Sequence, residues 1–206
     1  YEGESCPLCG RPTDVYGRCR ACRAQPPPIV RGRTAYVYRG APRRLLHRFK
    51  FDGQSYLADF LAERLLLCLA PYPSLDCVTA VPSHGLRVMN RGYSTAGLLA
   101  RSFSRLTGLP EARRALVRRH DSRPRYLRQD WSREAALRDY ALRDAQAIRG
   151  KRVLLLDDIL TSGNTLAACA QRLQEGGAAA VFTAVVAAAH EGGEAPETAG
   201  AEGDRP

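Results

Sequence analysis

A chain of 206 residues, 45% of them apolar, has room for one core-bearing domain with an appendage and excludes a second enzyme beside it. Its 31 basic residues against 21 acidic ones give net +10, and the segment 190–206, with five acids and one base, leaves +14 on the rest. Such a body attracts polyanions, diphosphates or nucleic acid, although with only Lys50 and Lys151 as lysines the arginine excess equally fits a compositional bias.

No apolar run is long enough to span a bilayer: residues 57–70 contain Asp59, Glu63 and Arg64 and read as an amphipathic helix. No secretory leader is visible in a chain that begins at Tyr1 and not at Met, and a cytoplasmic location is expected.

In chain order, the first signal is Cys6-x-x-Cys9, followed after nine residues by Cys19-x-x-Cys22. Each pair makes a tight knuckle that turns two thiolates toward one tetrahedral ion, Gly10 eases the turn after Cys9, and the spacing points to structural zinc. Four thiolates leave no open coordination position, so the metal should hold a fold and do no chemistry. Nothing points to export, and an odd total of seven cysteines argues against a complete disulfide framework. Cys68, Cys77 and Cys169 sit in apolar contexts and read as core. Residues 1–25 thus form a four-cysteine zinc module too poor in apolar surface to fold without its ion. Pro26-Pro27-Pro28 stiffens the exit into a second unit, residues 26–190.

Within that unit residues 34–39 alternate as a strand, residues 41–49 and 57–70 have helical spacing, and residues 77–81 form a short apolar strand. Residues 94–106 suit a helix that Gly108 and Pro110 close. Residues 113–150 are polar and arginine-rich with weak periodicity. Val153 to Leu156 make a continuous apolar run, as in a parallel strand covered on both faces, with Asp157 and Asp158 at its carboxyl end. A turn over 161–165, helical spacing over 166–173 and a last strand near 179–187 complete an alternating order, which indicates an α/β fold on a parallel sheet. The tail 191–206, rich in Gly, Glu and Ala, is expected to be disordered.

The chemistry concentrates where the apolar run ends. Thr161, Ser162, Gly163, Asn164 and Thr165 lead into a helix whose first amides lack intrahelical partners and whose dipole is positive at that end, so the turn suits a phosphate. Gly163 lets the backbone come close, and the hydroxyls of Thr161, Ser162 and Thr165 add donors. Two adjacent carboxylates repel a phosphate, yet they accept hydrogen bonds from the 2- and 3-hydroxyls of a ribose whose 5-phosphate lies in the turn. An ordinary capped helix accounts for one polar residue of this run and not for all of them.

The thirteen residues VLLLDDILTSGNT look like the 5-phosphoribosyl diphosphate (PRPP) signature of type I phosphoribosyltransferases. Taken in order, the cysteine knuckles, YVYRGAPRRLLHRFKFDG, AVPSHGLRVMNRGYS and that signature resemble the ComF family of competence-associated phosphoribosyltransferase-like proteins, over roughly residues 6–188, with 104–150 matching poorly. The resemblance implies a type I phosphoribosyltransferase-like fold, PRPP bound with magnesium, and a place among DNA-uptake proteins that handle single-stranded DNA in natural transformation. It also carries a pyrophosphate-loop role onto Ser83, His84, Arg87 and Arg91. A strand at 78–82 parallel to the signature strand would bring the 83–85 turn to the same sheet edge. Where family members read Arg-Gly-Phe-Asn-Gln, this chain has Arg91-Gly92-Tyr93-Ser94-Thr95 and lacks both amides.

Two functions remain in competition. One is transfer of a 5-phosphoribosyl group with loss of diphosphate, Asp157 and Asp158 holding the ribose. The other is an inactive transferase fold that binds single-stranded DNA, with Arg123, Arg125 and Arg128 tracking the backbone and Tyr126 and Trp131 stacking bases. A solvated basic helix with packing aromatics accounts for that stretch equally well.

Overall fold

The computed structural model describes residues 4–14, 16–69, 74–119 and 132–191. A short helix α1 (Arg20–Ala24) ends the cysteine-rich segment, and then come strand β1 (Arg31–Val37) and helices α2 (Gly40–Phe51) and α3 (Leu57–Leu69). Strand β2 (Cys77–Ala80) leads to helices α4 (Gly85–Arg91) and α5 (Thr95–Thr107). Then follow β3 (Leu116–Arg118), α6 (Arg133–Asp139), β4 (Tyr140–Leu142), β5 (Arg152–Leu160), α7 (Asn164–Glu175) and β6 (Ala180–Ala188).

The main sheet has the order β1-β6-β5-β2, and every neighbouring pair in it is parallel. β5 lies inside it, and Leu154, Leu155 and Leu156 are fully buried, as a strand covered on both faces requires. Successive side chains leave a strand on opposite faces. Leu154 and Leu156 therefore join one core with Leu46, Phe49, Leu61, Leu65, Leu99 and Phe103 of α2, α3 and α5. Val153 and Leu155 join the other, with Leu166, Cys169 and Leu173 of α7 and the four knuckle cysteines. The expected α/β parallel-sheet architecture is what the chain adopts. Cys77 and Cys169 are buried as expected, whereas Cys68 is half-buried with its thiol 3.1 Å from the Leu65 carbonyl oxygen.

Three features differ from the sequence reading. β5 does not stop at Leu156 but runs through both acids to Leu160, because its ladder with β6 continues, Asp157 opposite Val185 and Ile159 opposite Ala187. The turn after β2 is followed by a seven-residue helix, α4, opened by His84 and closed by Gly92 in the left-handed conformation (φ 83°). Finally, 113–150 holds an antiparallel β3–β4 pair and α6, pieces too short for periodicity to reveal. They are tied down by arginines: Arg172 donates to the carbonyls of Leu137 (2.9 Å) and Tyr140 (3.1 Å), and Arg118 pairs with Asp139 at 3.5 Å, both side chains under 10% exposed.

The cysteine-rich segment packs backbone to backbone on β1. Gly32 donates its N–H to the Pro7 carbonyl at 3.0 Å, and a Cβ placed on Gly32 would lie 2.5 Å from the carbonyl carbon of Cys9. Gly32→Ala should therefore push the segment off the strand and cost about 1–3 kcal/mol as overpacking does. A urea midpoint lowered without a change in slope is the expected reading.

Candidate functional site

The pleat that sorts the core also sorts the acids. Asp158 falls on the face of α2 and α5, buried with 7% of its surface exposed. There its Oδ1 lies 2.8 Å from Lys50 Nζ, and its Oδ2 accepts from the Thr95 hydroxyl. Burial alone would raise its pKa. The charge and hydrogen bond of Lys50, the Thr95 hydroxyl and the charge of Arg91 outweigh that, holding Asp158 below the ordinary carboxylate value. Asp157 falls on the opposite face, beside Cys169, whose thiol is pushed well up by burial and then by the Asp157 charge. Asp157 Oδ1 accepts from the Asp158 backbone N–H at 2.8 Å.

Past Leu160 the chain turns over Thr161–Ser162–Gly163 into α7. Gly163 occupies the N-cap at φ 87°, a conformation that β-carbon-bearing residues rarely adopt, and it has no side chain to cap the helix. Ser162 Oγ approaches Asn164 N only to 3.4 Å. The N-cap residue of this 12-residue helix thus places no side chain between the turn and the helix's positive end. A cavity of about 240 Å³ opens here, lined by Ser162, Gly163 and Asn164 on one side and by Arg11, Cys22 and Arg133 on another. Thr165 follows in the first turn of α7, half-buried.

The second predicted cluster emerges at the same sheet edge, because β2 pairs parallel with β5, Ala80 opposite Leu156, and Val81 N–H donates to Leu156 O at 2.9 Å. Ser83 Oγ and Ser94 Oγ are 2.8 Å apart, which ties the end of β2 to the start of α5 and so to Thr95. His84 caps α4, its Nδ1 accepting from Leu86 N–H at 3.2 Å. Arg91 lies over the rings of Phe51 and Tyr93, 5.4 and 5.9 Å from their centroids. Arg87 is placed in α4 by its backbone. Arg123, Arg125, Tyr126, Arg128 and Trp131 lie outside the described residues.

The four cysteines Cys6, Cys9, Cys19 and Cys22 come together with all sulfurs within 4.8 Å of one another, buried. The Cys9–Cys19 sulfur separation of 3.7 Å is close to the roughly 3.8 Å edge of a tetrahedron with metal–sulfur bonds of about 2.3 Å. Hydrogen bonding among four thiols this close splits their ionisation, Cys6 and Cys19 below the ordinary thiol value and Cys9 and Cys22 above it. The donor set fits a metal ion.

Sequence reasoning missed four residues that complete this region. Lys50 and Thr95 hold Asp158. Arg11, in the knuckle, donates to the carbonyls of Thr161 and Ala189, the latter at 3.2 Å. Glu191, which the sequence assigned to the acidic tail, accepts from Thr13 Oγ1 at 2.8 Å and from the Arg20 backbone N–H that opens α1. Lys50 and Thr95 do lie inside stretches singled out above, but nothing in a linear sequence pairs either with Asp158.

The geometry defines an α/β protein of phosphoribosyltransferase type. The phosphoribosyl transferase domain family matches residues 87–204, more than half of the chain. The chain is 30% identical over 183 residues to the DNA utilization protein YhgH of Escherichia coli strain K12, covering 85% of this chain and 80% of that one. It is 29% identical over 188 residues to the competence protein ComFC of Bacillus subtilis strain 168, covering 86% and 75%. Adenine phosphoribosyltransferase from Thermoanaerobacter pseudethanolicus aligns with 66% of this chain and 82% of its own at 16% identity and TM-score 0.42, a distance at which no residue role is transferred. The chain belongs to the phosphoribosyl transferase domain family, in its ComF branch. Among the described residues no helix is long and apolar enough to cross a membrane.

A carboxylate with a depressed folded pKa contributes stability above its unfolded value and loses it as pH falls through the folded one. Asp158 is such a group. Asp158→Asn should be less stable than the parent near neutrality, and the gap in urea midpoint should narrow as pH falls below about 4, where the unfolded carboxyl takes up its proton.

Proposed function

We propose that this protein binds PRPP, or a ribose 5-phosphate group within a larger ligand, at the β5–α7 junction. The observation that carries the reading is the Gly163-opened first turn of α7 facing a cavity that two arginines also line, directly after a strand that carries two acids near its carboxyl end. The 5-phosphate takes the amides of Gly163, Asn164 and Thr165 and the hydroxyls of Thr161, Ser162 and Thr165. Asp157, on the α7 side of β5, accepts from the ribose hydroxyls, and Asp158 assists from the other side. Ser83, His84, Arg87 and Arg91 flank the diphosphate, with magnesium, where bound, offsetting its charge.

Transfer would pass through a ribosyl cation with diphosphate leaving. The residues here contribute by alignment and by placing carboxylates where positive charge develops, without a covalent nucleophile. The four-cysteine cluster is read as structural zinc. About one zinc per chain is expected by elemental analysis, and stripping it with a chelator should unfold residues 1–25 and lower the urea midpoint of the whole. A chelator-resistant protein without metal would overturn that assignment.

The setting proposed is DNA uptake or use in natural competence, on the strength of the names that the relatives carry, and a cytoplasmic location is proposed with it. Those names, with net +14 outside the acidic tail, also favour a second reading in which the fold binds single-stranded DNA without turnover. Calorimetry with PRPP and fluorescence anisotropy with an oligonucleotide separate the two. Replacing Asp157 and Asp158 by Asn should weaken PRPP by at least about tenfold and leave the oligonucleotide unchanged. Replacing Arg123, Arg125 and Arg128 by Ala should do the reverse, with oligonucleotide affinity falling steeply in salt. A parent protein that binds no PRPP ends the first reading, and salt-insensitive or absent DNA binding ends the second.

A further inference from the structure

Arg11 and Thr161 are 150 positions apart in the sequence, yet one side chain joins the cysteine knuckle to the anion turn. The Arg11 guanidinium donates through one nitrogen to the Thr161 carbonyl and through the other to the Ala189 carbonyl at 3.2 Å. Thr161 opens the turn after β5, and Ala189 is the first residue past β6. The Ala189 N–H reaches Leu160 O at 3.3 Å, so the two strand ends are bonded to each other as well. A planar fork of donors suits two acceptors in fixed positions, which a single ammonium does not.

The effect of this brace on the turn follows from peptide geometry. In a planar trans peptide the C=O and N–H point in opposite directions, so holding the Thr161 carbonyl fixes the direction of the Ser162 N–H. That group immediately precedes the amides of Gly163, Asn164 and Thr165. Gly163 has no side chain with which to cap α7, and Ser162 Oγ is 3.4 Å from Asn164 N. The turn therefore draws part of its order from outside itself.

The other end of the brace is set by the knuckle. Arg11 lies two residues past Cys9, and its carbonyl accepts from the Cys6 N–H at 2.8 Å. Gly10 is so close to β1 that a Cβ there would lie 2.7 Å from the Arg33 backbone nitrogen. The four sulfurs that shape this backbone lie within 4.8 Å of one another, a spacing that a bound ion maintains and that bare thiolates would oppose by repulsion. Knuckle and turn also face each other across the cavity, Cys9 and Cys22 on one wall and Ser162, Gly163 and Asn164 on another.

Resting on the PRPP reading and the zinc assignment above, we infer that Arg11 is a positioning residue that links the metal site to the anion turn. An ion in the four-cysteine cluster and a phosphate in the turn strengthen each other's binding through its guanidinium, so metal occupancy regulates affinity for the phosphorylated ligand.

The test measures this coupling from both sides on the full chain, because linkage between two binding sites is reciprocal. Zinc affinity is taken from equilibrium competition with a chromophoric chelator, without and with saturating ribose 5-phosphate. Ribose 5-phosphate affinity is taken from calorimetry on zinc-loaded and zinc-free protein. In the parent, bound ribose 5-phosphate should raise zinc affinity by about five- to fiftyfold, and zinc should raise ribose 5-phosphate affinity by the same factor. In Arg11→Ala, with its zinc content confirmed by elemental analysis, both factors should fall below about twofold. Ribose 5-phosphate should then bind the zinc-loaded variant as weakly as it binds the zinc-free parent. Arg11→Lys, which offers one ammonium to two carbonyls, should keep part of the coupling.

Zinc affinity unchanged by bound ligand in the parent would overturn the inference, and that arm needs no variant to fold. A merely structural Arg11 would lower the urea midpoint of Arg11→Ala and leave the coupling whole, which overturns it equally. A parent that holds no zinc sinks the metal assignment, and one that binds neither ribose 5-phosphate nor PRPP sinks the functional reading, each taking this inference with it. Zinc and ribose 5-phosphate that both bind, but independently, sink the inference alone.

Discussion

Neighbouring side chains of a β-strand leave it on opposite faces, and in β5 that constraint falls on two consecutive aspartates. Asp158 is driven into the helical layer, where an isolated carboxylate would cost several kcal/mol of lost hydration. The layer answers with Lys50 from α2 and Thr95 from α5, so one buried acid joins a strand to the end of one helix and the beginning of another. Asp157 is released to the face of α7. An acid pair that looks uniform in the sequence becomes two groups with different surroundings, one holding two helices to the strand and one on the face of α7.

The turn itself is supported from outside the sheet. Arg11 reaches from the cysteine knuckle to the carbonyls of Thr161 and Ala189, where β5 and β6 end side by side. Its position follows from the knuckle, in which the Cys6 N–H donates to the Arg11 carbonyl at 2.8 Å and the Gly10 N–H to the Cys6 carbonyl at 2.8 Å. An ion held by the four thiols would do no chemistry on a ligand. It would fix the backbone from which a guanidinium braces the turn, and the cluster itself lines the adjoining cavity through Cys9 and Cys22.

What was legible in the sequence was local. Four apolar residues before two acids announced a buried strand, Gly163 announced the turn, and the two CxxC pairs announced a cluster because covalent spacing alone brings each pair together. The helix over 95–107 was legible through its ends, with Ser94 accepting from Gly97 N–H and Gly108 closing it at φ 74°. What was not legible depended on distance or brevity. Strand β5 outlasts its apolar run because backbone pairing with β6 is indifferent to side-chain polarity. α6 has seven residues and β3 and β4 three each, below the length at which a period shows. The Lys50–Asp158 pair joins residues more than a hundred positions apart and is set by how α2 packs, which no linear pattern records.

One consequence follows from Glu191. It stands just past the last strand, yet it closes contacts with Thr13 and with the start of α1, and it donates its own N–H to the Pro12 carbonyl at 2.9 Å. Thr13 and Glu191 are separated by 178 residues, almost the whole chain. During synthesis the cysteine knuckles emerge before β6 does, and a cluster made of their own four thiols needs nothing from the later chain. Their contacts to Glu191 form only after β6 has been delivered. The knuckles are thus made before the sheet and joined to it afterwards, and Arg11 reaches the Thr161 carbonyl only once β5 is in place.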